Sequence, residues 1–525
     1  MGEGGEFDPS GPKWNTEWKE QWFLQAALDA GAQVWFHALT VAAAVDGARV
    51  GGVVVATPYG FGLVQAGTVV DASGNAEVAA AAGARTENIQ ADHVAVQGTG
   101  LAPFIPGNHY TNTDHTFIDD TDAADVTRAF AVARTKFQDA FDLTLVVDSR
   151  QRQQIHGDLT LQPVDFLAGR TFPDTITTAR SNFDSHGFTV HPVFMAKPPD
   201  KESHWAHVPL RCLLPAGLEG ILVTGLGVSC HRDALPVIRM QPDVQNQGYA
   251  AGRAAAMAGL DGVTLRRLDV KRLQQHLVEV GILQPDVPGH EDSFPLQDGA
   301  FRDAVDHGLD THRGLAVIFS DASRSLPLLQ RAYAAADRET DRLRQALVMA
   351  LLGAVDGVET LIAAVDTAEW DQGWHYTGMG QFGFSLSPLD SMLAALGRAG
   401  DRRAMPAIRR KLESLRPEQE FSHFRALTLA LERMPSAAAA PGLAALLEQV
   451  RGNATTTLEA AVRQPAADRC DTSERNRELK ELVLARGLLA CGDHQDAARR
   501  ILAAYSDDLH GHYARHARAV LEAWR

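Results

Sequence analysis

Along the first 298 residues, short apolar runs of strand length alternate with glycine and proline turns. From residue 299 onward, apolar positions recur every three or four residues over long alanine-, leucine- and arginine-rich stretches. Period two marks strands and period 3.6 marks helices, so the chain divides into a mixed part and an all-helical part. In the first part, strands are expected at residues 34–36, 38–44, 49–57, 62–66 and 69–72, with turns at Asp46-Gly47 and Pro58-Tyr59-Gly60. Helices are expected at 18–30 and, after Ser73-Gly74-Asn75, at 76–82. Serine or asparagine there also reads as a plain N-cap. In the second part, helices are expected at 326–336, 339–354, 386–398, 404–414, 418–434, 440–450, 474–490, 497–505 and 512–524. Stops such as Gly400-Asp401 and Gly492-Asp493 suggest antiparallel pairs of roughly 40 residues, the pattern of HEAT-type repeats, although a simple helical packing domain fits the same spacing. His512 and His516, four apart on the last helix, are expected on a surface face.

The densest signals fall between residues 219 and 260. Ile221-Leu222-Val223-Thr224 has the pattern of a buried strand and stops at Gly225-Leu226-Gly227, where something is expected to come close to the backbone. The polar loop Ser229-Cys230-His231-Arg232-Asp233 follows, and Pro242 suits the first turn of a helix. Gly248 and Gly252 inside that helix each cost about 1 kcal/mol relative to alanine. Close approach is the expected reason for keeping them: with Ala256 they recur at a spacing of four and form one smooth face for a sheet or a flat ligand. The N-terminus of the helix would offer unpaired N–H groups and a positive dipole end.

This stretch resembles the C-terminal FAD-binding segment of flavin-dependent oxidoreductases with two dinucleotide-binding domains. Val69-Val70-Asp71-Ala72-Ser73-Gly74-Asn75-Ala76 resembles the family's strand ending in an alanine-threonine-glycine turn, with serine in place of threonine. Ser149-Arg150-Gln151-Arg152-Gln153-Gln154-Ile155-His156-Gly157-Asp158 resembles its arginine-rich segment. Asn182-Phe183-Asp184-Ser185-His186-Gly187 and Val208-Pro209-Leu210-Arg211-Cys212-Leu213-Leu214-Pro215 resemble two further landmarks, and the likeness covers about residues 14–290. It implies FAD as cofactor, with backbone at Thr40 and Val41 near the adenine and Ser73 and Gly74 at the second turn. Gly225 and Gly227 would let the ribityl chain pass the strand end. Gln245, Asn246, Gln247 and Gly248 would stand at the helix N-terminus, where negative charge on the reduced flavin is stabilised.

The family opens on a strand, a GxGxxG turn and a helix that hold the pyrophosphate. Gly2-Glu3-Gly4-Gly5 lacks apolar flanks, so the expectation is a chain truncated at its start, split into two polypeptides, or begun at a misplaced start codon. The split would make a separate N-terminal nucleotide-binding subunit a partner. The expected fold is an α/β flavoprotein-like domain with an incomplete nucleotide-binding sheet and an α+β insertion, followed by an all-α helical-repeat domain. Residues 1–89 and 216–298 form the FAD-binding parts, 90–215 the substrate-facing insertion, and 299–525 the helices.

Charge narrows the partners. With 49 basic against 65 acidic side chains the net charge is −16, which argues against nucleic acid or an anionic membrane surface. No apolar run approaches the roughly 18 residues of a span, and no signal pattern opens the chain, so a cytoplasmic protein is expected. Cys212, Cys230, Cys470 and Cys491 form no CxxC pair, so neither zinc nor a disulfide framework is indicated. His186, His191, His204 and His207 lack the helical spacing of a zinc motif, and no metal is expected.

The candidate catalytic residues are His186, His231 and Arg232. An imidazole titrating at about 6.5 can shuttle a proton, and a guanidinium can clamp a carboxylate or phosphate. Arg150, Arg152 and Arg211 are weighed the same way, with a structural ion pair as the alternative. Arg232 and Asp233 are adjacent and point apart unless the loop folds back. A redox role for Cys230 would need a depressed pKa or a partner thiol. Asn108-His109-Tyr110-Thr111-Asn112-Thr113-Asp114-His115 gathers hydrogen-bonding groups as a sugar or polyol site would, or as a solvated loop does. The expected function is a FAD-dependent oxidoreductase, or the larger fragment of one, acting on a small polar substrate such as a sugar or polyol. The alternative is a non-catalytic scaffold that has lost FAD and uses its helices to bind a protein partner or a second copy.

Overall fold

The computed structural model describes residues 5–8, 11–14, 16–88, 93–94, 101–103, 118–137, 140–146, 150, 152–185, 188–373, 385–463 and 473–524. His186, Cys470 and the polar cluster at 108–115 lie outside these. Strands Leu39–Asp46, Arg49–Thr57 and Gly60–Gln65 form an antiparallel meander, joined by turns in which Gly47 and Gly60 take left-handed φ values of 58° and 119°. The run 34–36 is not a strand: Trp35 and Phe36 are exposed, and three apolar residues without a turn to fold them back make no ladder. The meander joins the rest through Gly220. A Cβ there would stand 2.5 Å from the Val50 carbonyl oxygen, and the Val50 and Val69 amides donate to the Glu219 and Gly220 carbonyls at 2.9 Å.

Beyond Gly220 the chain enters the strand Ile221–Val223, which pairs in parallel with Val69–Asp71, Ile221 opposite Val69 and Val223 opposite Asp71. Parallel neighbours are buried on both faces and so read as continuous apolar runs. Ile221, Leu222 and Val223 are all buried. A small core of Val50, Ala76, Ala79, Ile155, Leu218, Ile221 and Val223 surrounds the pair. After the second strand, Gln241–Asp261 forms a helix of 21 residues that ends on Gly262 in the left-handed region. Its buried face is Gln247, Ala250, Ala251, Ala254, Met257 and Ala258.

That face joins a larger core with the antiparallel strands Thr175–Ser181 and His204–Pro209. The same core continues into helices Asp298–His307, His312–Ser320 and Ala322–Ala335 through Phe301, Leu315 and Leu329. The first two of these helices escape the sequence reading because each is only nine or ten residues long.

Beyond them the helices stack in two layers. Glu339–Leu351, Pro388–Ala399, Phe421–Arg433 and Ser473–Ala490 pack one against the next in one layer, and Val358–Thr367, Met405–Ser414 and Ala440–Val450 form the other. Every helix expected from the periodicity is present, with ends shifted by a few residues, as fraying and capping dictate. Val358–Thr367 is an addition. Glu339–Leu351 belongs to two cores at once: Val348 and Met349 join the core of the strand-bearing half, while Ala346, Ala350 and Leu351 join that of the helical stack.

The last helix, Gly511–Ala523, corrects one expectation. His512 and His516 are buried rather than on a surface face, at 2% and 0% exposure. The reason is a long-range dock: the Gly511 amide donates to Asp125 at 2.9 Å, and Arg515 donates to Asp119 at 2.8 Å. A side chain at 511 would collide with Asp119 and Asp122, whose Cβ atoms lie 2.9 Å from its ideal Cβ position. No described helix is long and apolar enough to cross a membrane.

Candidate active site

Two turns meet at the C-terminal ends of the parallel strands. One is Ser73-Gly74-Asn75-Ala76, the other Gly225-Leu226-Gly227, and a Cβ on Gly227 would stand 2.9 Å from the Ala76 amide nitrogen. What comes close to that backbone is thus the neighbouring turn. Gly225 is needed for a different reason, its φ of +72°. Asp71 organises the first turn. Its carboxylate accepts from the Ser73 amide and hydroxyl at 3.0 and 2.7 Å and from the Ala79 amide at 3.0 Å. The Ser73 hydroxyl accepts from the Glu77 amide at 3.1 Å, so Ser73 and Asp71 together cap the helix Glu77–Ala81. Asn75 accepts from the Gln153 amide at 2.8 Å, which draws the arginine-rich segment to the same place.

The helix Gln241–Asp261 begins beside this junction, since Val244 lies 3.7 Å from where a Gly225 Cβ would be. Its N-cap, Met240, supplies no side-chain acceptor, and Pro242 has no N–H, so Gln241 and Asp243 hold the first-turn amides that lack a side-chain cap. Asp243 in that turn is held up at about 6 by burial. Gln245 and Asn246 are accessible. Gln247 points inward and donates to the Ile238 carbonyl at 3.1 Å, its Oε1 without a hydrogen-bond partner.

The face of Gly248, Gly252 and Ala256 is solvent-exposed, with nothing within 4 Å of either glycine's Cβ position. Spacing identified a smooth face, but alanines on the opposite side make the sheet contact. Thr40 and Val41 are exposed on the meander, with Val41 at a register shift.

Below the junction lies a cavity of about 300 Å³ whose wall includes Arg152, His156, Cys230, His231 and Arg232. The loop 229–233 is fixed by Ser229, whose hydroxyl accepts from the Gly157 amide at 2.9 Å and lies 2.7 Å from the Thr160 hydroxyl. His231 accepts from the Asp233 amide at Nδ1, 3.1 Å, which places its proton on Nε2. The loop does fold back: Arg232 Nε lies 3.5 Å from Asp233 Oδ1. Asp233 is fully buried and accepts from the Val190 and His191 amides at 2.7 Å each. Burial raises its pKa, but His231, Arg232 and the two amides outweigh that and hold the carboxyl below its ordinary range.

Arg152 pairs with Asp120 at 3.0 Å and Arg211 with Asp174 at 2.9 Å, so both serve as structural ion pairs. Burial pushes the Cys230 thiol well above its ordinary value, which removes the thiolate a redox cysteine needs. Asp200, Glu202 and His204 place three potential ligand atoms within 4.8 Å of one another, a grouping that the histidine spacing alone does not announce.

His191 stacks edge-on against His231 with ring centroids 5.2 Å apart. Burial, then the neighbouring His231, depress its pKa to about 3. An unfolded histidine titrates at about 6.5, so this contribution to stability is complete above that pH and is lost as the pH falls toward 3. Unfolding in urea is expected to show at most about 2 kcal/mol lost by pH 5 from this group. His191→Asn, which keeps an acceptor for the Val193 amide, should flatten that slope.

A family model described as FAD dependent oxidoreductase matches residues 10–146 and 130–277, which together span more than half of the 525-residue chain. Searches of curated proteins and of solved structures return no match. The matched stretch contains both strands of the parallel pair, both touching turns and the long helix that follows, and the chain belongs to the FAD dependent oxidoreductase family.

Proposed function

We propose that the protein is an oxidoreductase that holds its flavin at the junction of the two turns and receives a small polar substrate in the cavity beside His231 and Arg232. The observation that carries this reading is the open first turn of Gln241–Asp261, set against the strand end at Gly225. Backbone N–H groups without a side-chain cap suit a group that becomes negatively charged on reduction, and Gly225 adds no side chain where the chain turns. When bound, FAD supplies the two-electron transfer.

The protein's own residues do the rest. His231, its Nδ1 committed to the Asp233 amide, exchanges a proton at Nε2. Arg232 is held by Asp233 and by the Phe188 carbonyl at 3.2 Å and sets a positive potential on the cavity wall. Cys230 remains a packed thiol. The choice of a sugar or polyol as substrate is supported only by the composition of residues 108–115, which lie outside the described residues; the described cavity wall offers histidine and arginine.

The test is an absorbance scan of the purified chain between about 300 and 550 nm, with and without added FAD, after gel filtration. Paired visible bands that co-elute with the protein are expected. Their absence with excess FAD, and again after a strand-GxGxxG-helix nucleotide-binding piece is supplied, would leave the scaffold reading in place of the enzyme.

A further inference from the structure

Three helices of the stack approach more closely than ordinary side chains permit. A Cβ on Gly397 would stand 2.5 Å from Ala430 Cα, and one on Gly487 would stand 3.0 Å from Thr428 Cγ2. Next to each glycine in sequence is an arginine, Arg398 and Arg486, and Arg425 lies on Phe421–Arg433, the helix packed between the other two. With Arg433 these arginines line a cavity of about 110 Å³ in which Glu432 is the one carboxylate among the described residues of the wall. In a chain of net charge −16, this concentration of guanidinium groups calls for a counter-charge.

Their described partners supply only part of it: Glu432 pairs with Arg486, and Asp233 and Asp390 offset some of the charge on Arg425. Arg425 is buried, donates to the Thr189 carbonyl and lies 4.3 Å from the Phe188 ring centroid. Arg398 donates to the Leu351 carbonyl at 2.8 Å. Carbonyls accept hydrogen bonds without neutralising charge. Arg486, 3% exposed, gives Nε to Glu432 at 2.5 Å, while its buried Nη1 has no hydrogen-bond partner. Burial, then Arg232, lower the Arg425 pKa to about 9, and burial, then Arg433, lower that of Arg398 to about 10. Both directions say that the charge is held at a cost that an anion would relieve.

The cavity adjoins the one beside His231, because His93 and Val190 line both. Whole-ligand sites run roughly 300–1,000 Å³, so the smaller cavity suits one end of a ligand whose remainder occupies the larger. We propose that it binds the carboxylate or phosphate group of an organic anion, the class to which the substrate belongs. That substrate role rests on the flavoenzyme reading above; the anion binding itself does not.

Calorimetric titration of the full chain with inorganic phosphate and, separately, with succinate tests this. One saturable site per chain is expected. Saturation by phosphate alone would mark a phosphoryl seat, and by succinate alone a carboxylate seat. Arg425→Gln and Arg486→Gln should each weaken binding by about tenfold or more, with the visible flavin bands unchanged. Should these buried variants unfold, Arg433→Gln at the exposed rim should weaken binding by about threefold. No saturable site for either probe, or unchanged affinity in the arginine variants, overturns the proposal. Flavin bands without anion binding would sink this inference alone, and anion binding without flavin would sink the flavoenzyme reading alone.

Discussion

Gly227→Val is expected to abolish flavin retention. The added atoms would start from a Cβ 2.9 Å from the Ala76 nitrogen and 3.1 Å from both Ala76 Cβ and Val223 Cγ1. All three atoms belong to residues already fixed: Ala76 holds a left-handed φ of 50° at the start of its helix, and Val223 is locked in the parallel ladder. Neither can yield without opening the contact between the turns. Overpacking of this kind typically costs about 1–3 kcal/mol, and the displacement falls at the junction proposed above as the cofactor's seat. Gel filtration followed by a visible spectrum reads retention, and a urea midpoint reads stability. Gly248→Ala is the control. Its Cβ meets nothing within 4 Å, so the variant should gain up to about 1 kcal/mol from helix propensity. A loss of flavin there without a loss of stability would make the exposed small-residue face a cofactor contact.

Asp233→Ala is expected to have the larger effect on stability. Removing the carboxylate strands Arg232 in a buried position and leaves the Val190 and His191 amides without their acceptor. Breaking a buried pair in this way costs about 3–5 kcal/mol. The effect depends on pH with a defined sign. The folded carboxyl is held below its ordinary range, so its contribution is present above the unfolded pKa of about 3.9 and is lost as pH falls through the folded value. Urea unfolding of wild type and variant should differ most near neutrality and converge in strong acid. A difference that persists unchanged at low pH would show that packing, not charge, is what Asp233 contributes.

The sequence exposes what is local and hides what is assembled. Ile221–Val223 and Val69–Asp71 are legible because a continuous apolar run ending in a glycine turn has few other readings. The helices of the stack are legible from their 3.6-residue period. The inner and outer faces of Gln241–Asp261 are harder: a spacing of four marks a stripe, but nothing local says whether glycine or alanine meets the sheet. His512 and His516 were hidden because their burial depends on Asp119 and Asp125, almost 400 positions away. Arg398, Arg425 and Arg486 carry no local signal, because they stand on three helices separated in sequence. Only the close helix contacts at Gly397 and Gly487 bring their side chains to one cavity.

The helix Glu339–Leu351, with Val348 and Met349 in one core and Ala346 and Ala350 in the other, makes the two halves share a wall. A wall cannot melt on one side only. Heating is therefore expected to give a single calorimetric peak rather than two, with calorimetric and van't Hoff enthalpies close to each other. The helical stack then acts as ballast for the strand-bearing core, and damage far out in the stack is felt there as lost melting temperature.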